Sequence, residues 1–352
     1  MSADDRIVRS AEPLNLEMPF STLESFITPT ERFYVRTHFP VPKIDAVQWR
    51  LRIEGEVEKA FEISEKELLS LETRTMAVTL ECAGNNRIFL EPKVKGVQWE
   101  LGAVGNAEWT GVPLSVLLDR AGVKSNANEV ILEGADAGTV DDAKAPRGDI
   151  RFARSIPLEK ARRDVLLVHT MNGERLKPEH GFPLRAIVPG WYAMASIKWL
   201  RRIVVTDTPF NGYYQTLDYA YWSKGDGSPT LVPLSLMELK AEIASPANGS
   251  TVPADSKVRV HGAAWGGNIT KVEISADGGK SWNAAELLPD GNHPFAWKRW
   301  QWTWQTPKTP GAKCTLMARA TDASGRTQPT TRDPDRGTYM ISHLLPIEVT
   351  VT

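Results

Sequence analysis

Cysteine is scarce. Only Cys82 and Cys314 occur in 352 residues, which excludes a disulfide-rich scaffold, a four-cysteine iron–sulfur cluster and any CxxCH haem attachment. Net charge is scarce too: 42 basic against 43 acidic side chains leave −1, with no electrostatic footprint for nucleic acid. No run of about eighteen apolar residues occurs, so no segment reads as a membrane-spanning helix. Met1 to Leu16 is polar and mixed in charge, without the basic and apolar blocks of a signal peptide. The expectation is a cytoplasmic protein, or a periplasmic one where a leader has been removed. A G-x-S-x-G elbow and an H-E-x-x-H zinc helix are also missing.

What is present divides into two textures. Ile44 to Glu56 alternates apolar and polar side chains, as in Trp49, Leu51 and Ile53, and predicts a strand. Ser64 to Leu69 predicts a short helix capped by Ser64, and Pro113 to Gly122 a helix with proline at its start and glycine at its end. Met76–Leu80, Val130–Glu133 and Val165–His169 read as strands, and Leu158–Arg163 as a helical turn. This irregular mixture predicts an α+β domain. Residues 206 to 245 read as loop, with turn signals at Asp207-Thr208-Pro209 and Gly225-Asp226-Gly227-Ser228-Pro229. Beyond Ser245-Pro246-Ala247-Asn248-Gly249, short strands recur at Val258–Gly262, Lys271–Ser275, Trp300–Trp304, Thr315–Ala320 and Ile347–Val351. Such spacing predicts an all-β, immunoglobulin-like sandwich. The expected domains are 1–238 and 239–352. Six of the twelve tryptophans lie beyond residue 264; Trp300, Trp302 and Trp304 share one strand face, which suits a sandwich core, or an aromatic interface on that face.

Two features are decoys. Asp277-Gly278-Gly279-Lys280-Ser281 resembles the end of a phosphate-binding loop, but Ile274 stands at the first glycine position, and a hairpin turn is the better reading. Asn248 and Asn268 begin glycosylation triplets, which matter only in a eukaryotic secreted protein.

Cys82 ends a β-prone stretch, Val78-Thr79-Leu80-Glu81, and opens a polar turn, Ala83-Gly84-Asn85-Asn86-Arg87. A thiol there points from a strand end toward space where a ligand can sit. Taken singly, Cys82 reads as an inert buried thiol, His180 as a satisfied histidine and Arg185 as half of an ion pair. With one other cysteine in the chain, a metal on Cys82 needs most of its donors from a cofactor.

The segment Cys82-Ala83-Gly84-Asn85-Asn86-Arg87 resembles the cysteine loop of sulfite oxidases and their relatives. Further segments are similar to that family in order: Phe33 to Pro42, Val94 to Trp99, Gly102 to Val112, His180-Gly181-Phe182-Pro183-Leu184-Arg185, and Val188-Pro189-Gly190 with Ser196 to Leu200. The resemblance implies a molybdopterin-binding domain of the sulfite oxidase fold followed by a sandwich-like dimerisation domain, hence a homodimer. It implies that the Cys82 thiolate binds molybdenum beside the two sulfurs of molybdopterin. Arg185, Lys198 and His180, with Ser196, would hold the cofactor phosphate, and Tyr34, Arg36, Thr37, His38 and Asp136 would lie against pterin or phosphate. Arg36 and Arg87 would hold the anionic substrate, Trp99 would form a wall, and Arg336 would enter from the C-terminal domain or stay a surface charge.

The implied activity is oxidation of sulfite to sulfate by oxygen-atom transfer, with electrons passing to an external acceptor such as a cytochrome, or to oxygen. No haem or iron–sulfur segment is expected in this chain. One departure matters: by the resemblance, Phe152 stands where sulfite oxidases usually carry a tyrosine. That keeps open a related molybdenum oxotransferase acting on another sulfur compound, a sulfoxide or nitrate, and Tyr192 is a candidate to restore the hydroxyl. A non-catalytic binding protein on the same fold is the alternative from another class.

Overall fold

The computed structural model describes residues 5–224 and 227–352. It is mostly strand. Among the described residues the longest α-helix, Leu114–Ala121, has 8 residues, so the helical share is smaller than the α+β reading implies. None is long and apolar enough to cross a membrane.

Two sheets form the body of the first part. One runs Phe61–Ser64, Arg50–Gly55, Leu200–Thr206, Glu129–Gly138, Ile150–Pro157 in spatial order. The other runs Glu174–Arg175, Leu166–Met171, Val104–Pro113, Arg74–Glu81, with Arg185–Ile187 also paired to Leu166–Met171. The antiparallel register of Arg74–Glu81 on Val104–Pro113 continues to Glu81 opposite Val104. It therefore holds the backbone rigid up to the residue before Cys82.

Local rules account for most of these elements. Ser64 caps Glu65–Leu68 in a reciprocal capping box: Glu67 N–H donates to Ser64 Oγ at 3.3 Å and Ser64 N–H donates to the Glu67 carboxylate at 2.9 Å. Leu114–Ala121 buries Leu114, Leu117, Leu118 and Ala121, one helical face, and stops at Gly122 with φ +66°. The strand expected over Ile44–Glu56 is shorter, Arg50–Gly55. Trp49 N–H closes a turn on the Asp45 carbonyl at 2.9 Å, yet Trp49, Leu51 and Ile53 are all buried as the alternation requires.

The segment expected to be loop between 206 and 245 carries a helical turn, Tyr213–Thr216, and a hairpin, Ala220–Ser223 with Thr230–Pro233. Of the turn signal at 225–229, Gly225 and Asp226 lie outside the described residues. The tyrosines of this segment override its loop-like composition: Tyr214 and Tyr219 are buried.

From Lys240 onward two sheets share one core. The first orders Lys240–Ser245, Lys257–Trp265, Lys298–Gln305, Glu286–Leu287; the second orders Thr251–Val252, Ile347–Val351, Lys313–Asp322, Ile269–Ser275, Asn283–Ala284. Trp300 and Trp304 fill that core and Trp302 packs half-buried against it, so this tryptophan face is internal. Trp297 instead joins the core of the first part, its indole N–H donating to the Phe26 carbonyl at 2.9 Å. Asp277 to Ser281 is a turn between Ile269–Ser275 and Asn283–Ala284, with Ser281 N–H on the Asp277 carboxylate at 2.9 Å. No helix follows it, and a phosphate loop is excluded there.

Candidate active site

Cys82 opens the turn at the end of Arg74–Glu81. Its N–H donates to the Ala103 carbonyl at 2.9 Å, and Asn85 N–H closes on its carbonyl at 2.9 Å. The turn packs tightly. A Cβ at Gly84 would stand 2.1 Å from the Arg87 guanidinium, so a larger residue would displace that side chain. Cys82 is 7% exposed and lines a cleft that opens to solvent.

That cleft gathers side chains from distant parts of the chain. Tyr34, Arg36, Thr37 and His38 come from the strand Val35–Arg36 and its flanks, Asp136 from Glu129–Gly138, and Phe152 from Ile150–Pro157. His180, Arg185, Ser196 and Lys198 come from the turns around Arg185–Ile187. The structure thus brings together eleven predicted residues: Cys82, Tyr34, Arg36, Thr37, His38, Asp136, Phe152, His180, Arg185, Ser196 and Lys198.

Among the described residues no carboxylate hydrogen-bonds the cationic end. Arg185 donates to the carbonyls of His180 and Ser196, each at 3.1 Å, while its Nε–H has no partner among the described residues. Lys198 Nζ donates to the Glu179 carbonyl at 2.9 Å and lies 4.2 Å from the Trp199 ring centre. Gly181, at φ +108°, lets the two cations converge: a Cβ there would press within 3.1 Å of both Arg185 and Lys198. Burial pushes the Arg185 guanidinium down to about 10. Enclosure, then Arg185, holds Lys198 well below the ordinary lysine value. Burial also keeps His180 well below the usual imidazole range, hence neutral at pH 7. Ser196 is already engaged, its Oγ accepting from Val188 N–H at 3.0 Å. Asp136 faces this group, with burial raising its carboxyl to about 6.

Near the thiol, Arg36 donates to Asn15 Oδ1 at 3.4 Å and to the Thr37 carbonyl. The His38 ring stacks on Phe152 with centroids 4.4 Å apart, and its Nε2 lies 2.8 Å from the Tyr219 hydroxyl. Burial, then the charges of Arg36 and Lys198, hold His38 well below its ordinary value. Tyr219 lines the cleft, and burial raises its phenol, which stays protonated.

Tyr219 is the residue that sequence reasoning missed. It sits in the stretch read as loop, and its signal was an apolar, tyrosine-rich run, Tyr213, Tyr214, Tyr219, Tyr221, inside that loop. The ring at Phe152 has no hydroxyl, but the cleft does. Tyr192 is not the replacement: its hydroxyl accepts from Glu238 N–H at 3.4 Å, outside the cleft lining.

Three predicted residues do not reach the cleft wall. Arg87 donates to the carbonyls of Val97 at 2.8 Å and Thr338 at 3.1 Å, 5.2 Å from the Tyr339 ring centre. Trp99 is fully buried in the cluster behind Cys82. Arg336 pairs with Asp333 at 3.2 Å and stacks over Tyr221.

The donor set fits a molybdenum–molybdopterin group. Among the described residues no three His, Cys, Asp or Glu converge to hold a metal ion, so Cys82 would be the single protein donor and the dithiolene would supply the rest. The unpartnered Arg185 Nε–H and the neighbouring Lys198 suit a terminal phosphate.

A family model described as "Oxidoreductase molybdopterin binding domain" matches residues 38–214, and one described as "Mo-co oxidoreductase dimerisation domain" matches residues 233–336. The chain is 36% identical to the mitochondrial sulfite oxidase of Drosophila melanogaster, over 91% of this chain and 58% of that protein. It is 34% identical to the sulfite oxidase of Gallus gallus, over 92% and 72%. A nitrate reductase [NADPH] of Emericella nidulans matches at 33%, over 93% and 42%. The solved sulfane dehydrogenase SoxCD from Paracoccus pantotrophus superposes with a TM-score of 0.84 at 31% identity, over 97% of this chain and 85% of that one. The chain thus spans about three-fifths of the fruit fly relative. With the cysteine turn, the cationic end and both family models in one chain, this protein belongs to the sulfite oxidase family of molybdopterin-dependent oxidoreductases.

Proposed function

We propose that this protein oxidises sulfite to sulfate and passes the electrons to an external acceptor. The observation that carries the proposal is the Cys82 thiol facing a cleft whose cations, Arg36, Arg185 and Lys198, hydrogen-bond to carbonyl and amide oxygens and not to carboxylates. Such a site attracts anions at both ends.

Cys82 would ligate molybdenum, and Arg185 and Lys198 with His180 would hold the cofactor phosphate. When bound, the group supplies the two-electron oxygen transfer. The protein's part is orientation and field. Arg36 draws the sulfite anion toward the thiol end and offsets charge there. With Nε2 protonated, neutral His38 donates to the Tyr219 oxygen and leaves the phenol hydrogen free for a substrate oxygen. Phe152 fixes the His38 ring by stacking. Tyr219 therefore supplies the hydroxyl whose absence at position 152 keeps another substrate open. Arg87, spent on two carbonyls, acts as a fixed charge behind Tyr339 and not as a substrate ligand.

The C-terminal domain is read as immunoglobulin-like and as the contact of a homodimer. The packing of two mainly antiparallel sheets around one core supports the first. The dimerisation-domain match supports the second.

Steady-state turnover with sulfite and ferricyanide, beside molybdenum content per protomer, tests the function. Turnover in the loaded protein and its loss in Cys82→Ser are expected; a fully loaded sample without sulfite turnover rejects it. The second reading is nitrate reduction, favoured by the match to a nitrate reductase and assayed with a reduced viologen.

A further inference from the structure

Behind the Cys82 turn lies a polar network that the reaction does not use. Glu81, the residue before the thiol, is fully buried and accepts three hydrogen bonds. Lys240 Nζ donates to its Oε1 at 2.6 Å, Asn85 Nδ2 to the same oxygen at 3.2 Å, and Trp265 Nε1 to Oε2 at 2.9 Å. The Lys240 and Glu81 side chains are 3% and 0% exposed. Lys240 Nζ also donates to Asn86 Oδ1. One ammonium thus ties the residue before Cys82 to a residue on the far side of the turn.

Asn86 is held where few residues rest, at φ +72°, its N–H on the Glu100 carbonyl at 2.8 Å. Asn85 Oδ1 accepts from Ala103 N–H at 3.0 Å, and the Ala103 carbonyl in turn accepts from Cys82 N–H. The other flank is fastened as well: Met340 N–H donates to the Ala83 carbonyl at 2.8 Å and Arg87 Nε to the Thr338 carbonyl at 3.1 Å. Lys240, Trp265, Thr338 and Met340 all belong to the C-terminal part. A buried ion pair adds little net stability over apolar packing of the same shape. What an ammonium adds here is direction, with separate N–H donors aimed at Glu81 and Asn86.

We propose that Lys240 is a positioning residue for the Cys82 sulfur, so that the C-terminal domain sets the geometry of the thiolate ligand as well as serving assembly. The proposal rests on the reading of Cys82 as the metal ligand. Outer-shell partners of this kind fix the orientation of a ligating atom, and losing them costs about 10–100-fold in metal affinity or activity.

The test uses Lys240→Met, with Lys240→Met/Glu81→Gln as the variant that removes the Lys240–Glu81 pair as a unit. Two readouts are taken. In cofactor-free protein the alkylation rate of Cys82 is measured by peptide mass spectrometry, with Cys314 as internal reference. In the loaded protein the Mo(V) electron paramagnetic resonance spectrum is recorded after one-electron reduction. The expected result is about a tenfold faster Cys82 rate relative to Cys314, a shifted Mo(V) signal, and partial restoration of both in Lys240→Arg. If Lys240→Met does not fold, the double variant is read by the same measurements with the same expectation. A Cys82 rate within about twofold of the parent together with a superimposable Mo(V) spectrum overturns the proposal. Failure of the underlying reading looks different: Cys82→Ser would retain its full molybdenum with an unaltered spectrum.

Discussion

Two enclosed lysines, one on the Cys82 turn and one in the cleft it faces, do opposite work. Lys240 meets a carboxylate and an amide oxygen, and every polar atom of Glu81 is answered. Lys198 meets a carbonyl and an aromatic ring, next to an arginine whose Nε–H has no partner among the described residues. The first arrangement answers the Lys240 and Glu81 charges within the chain, while Glu242 beside them keeps both carboxyl oxygens without a hydrogen-bond partner among the described residues. The second is incomplete, because two cations placed side by side without a carboxylate at hydrogen-bonding range raise each other's free energy. An anionic group brought from outside would relieve it. Charge compensation thus separates scaffold from binding site more sharply than burial does.

Removing each charge should break the symmetry between them. Lys240→Met strands the Glu81 carboxylate in a dry site, and the cofactor-free protein should lose about 3–5 kcal/mol in urea unfolding. Lys198→Met removes a charge that no carboxylate among the described residues hydrogen-bonds and that Asp136 and Glu179 offset only at longer range. Its unfolding free energy should stay within about 1 kcal/mol of the parent, while molybdenum per protomer falls. Equal losses of stability in the two variants would contradict the distinction.

The sequence displayed these two regions unequally. The cleft cations lie in motifs, His180 to Arg185 and Ser196 to Leu200, so resemblance exposed them before any coordinates. The strand Arg74–Glu81 and the helix Leu114–Ala121 were legible from periodicity and caps. Lys240 was invisible, because nothing local distinguishes a lysine at the start of a strand from a solvated one; only the packing of two domains buries it. Tyr219 was lost for the same reason, since a residue between turn signals becomes a cleft wall only when the chain folds back on His38. Arg87 and Trp99 lie near Cys82 along the chain, but side-chain direction is not encoded in spacing, and neither lines the cleft.

The phenols repeat the contrast. Tyr219 lines the cleft against His38, and Tyr192 answers a backbone N–H near Glu238. Tyr219→Phe should lower kcat with sulfite by about 100-fold, the scale of losing a positioned proton donor. Tyr192→Phe should leave kcat within about twofold. Comparable losses in both would remove Tyr219 from the chemistry.

The carboxyl groups extend it to pH. Glu242, fully enclosed beside Lys240 at 3.8 Å, has its carboxyl raised by burial from 4.5 to about 8. The folded state therefore holds a proton that the unfolded chain has released, and its stabilising share is full below about 4.5 and fades as pH rises toward about 8. Unfolding free energy from this group should fall by up to about 1.4 kcal/mol per pH unit in that window. Urea midpoints of Glu242→Gln against the parent at pH 5, 6, 7 and 8 should show the flatter slope in the variant. Parallel slopes would mean that Glu242 is ionised in the folded protein.

The smallest effect should come from Arg336, the cation whose role resemblance left open. Its side chain is a quarter exposed, stands 3.7 Å from Glu238 and 3.2 Å from Asp333, and rests on Tyr221. Its charge is therefore balanced as that of Lys240 is, but at the surface, where such pairs contribute about 0–1 kcal/mol. Arg36, on the cleft wall, has amide and carbonyl oxygens as hydrogen-bond partners. Arg336→Gln should accordingly leave the KM for sulfite within about twofold, while Arg36→Gln should raise it by about tenfold or more, the scale of one charge-assisted contact. A large rise in KM from Arg336→Gln alone would show that the C-terminal arginine swings into the cleft when substrate binds, and that compensation in the resting chain does not by itself mark a residue as scaffold.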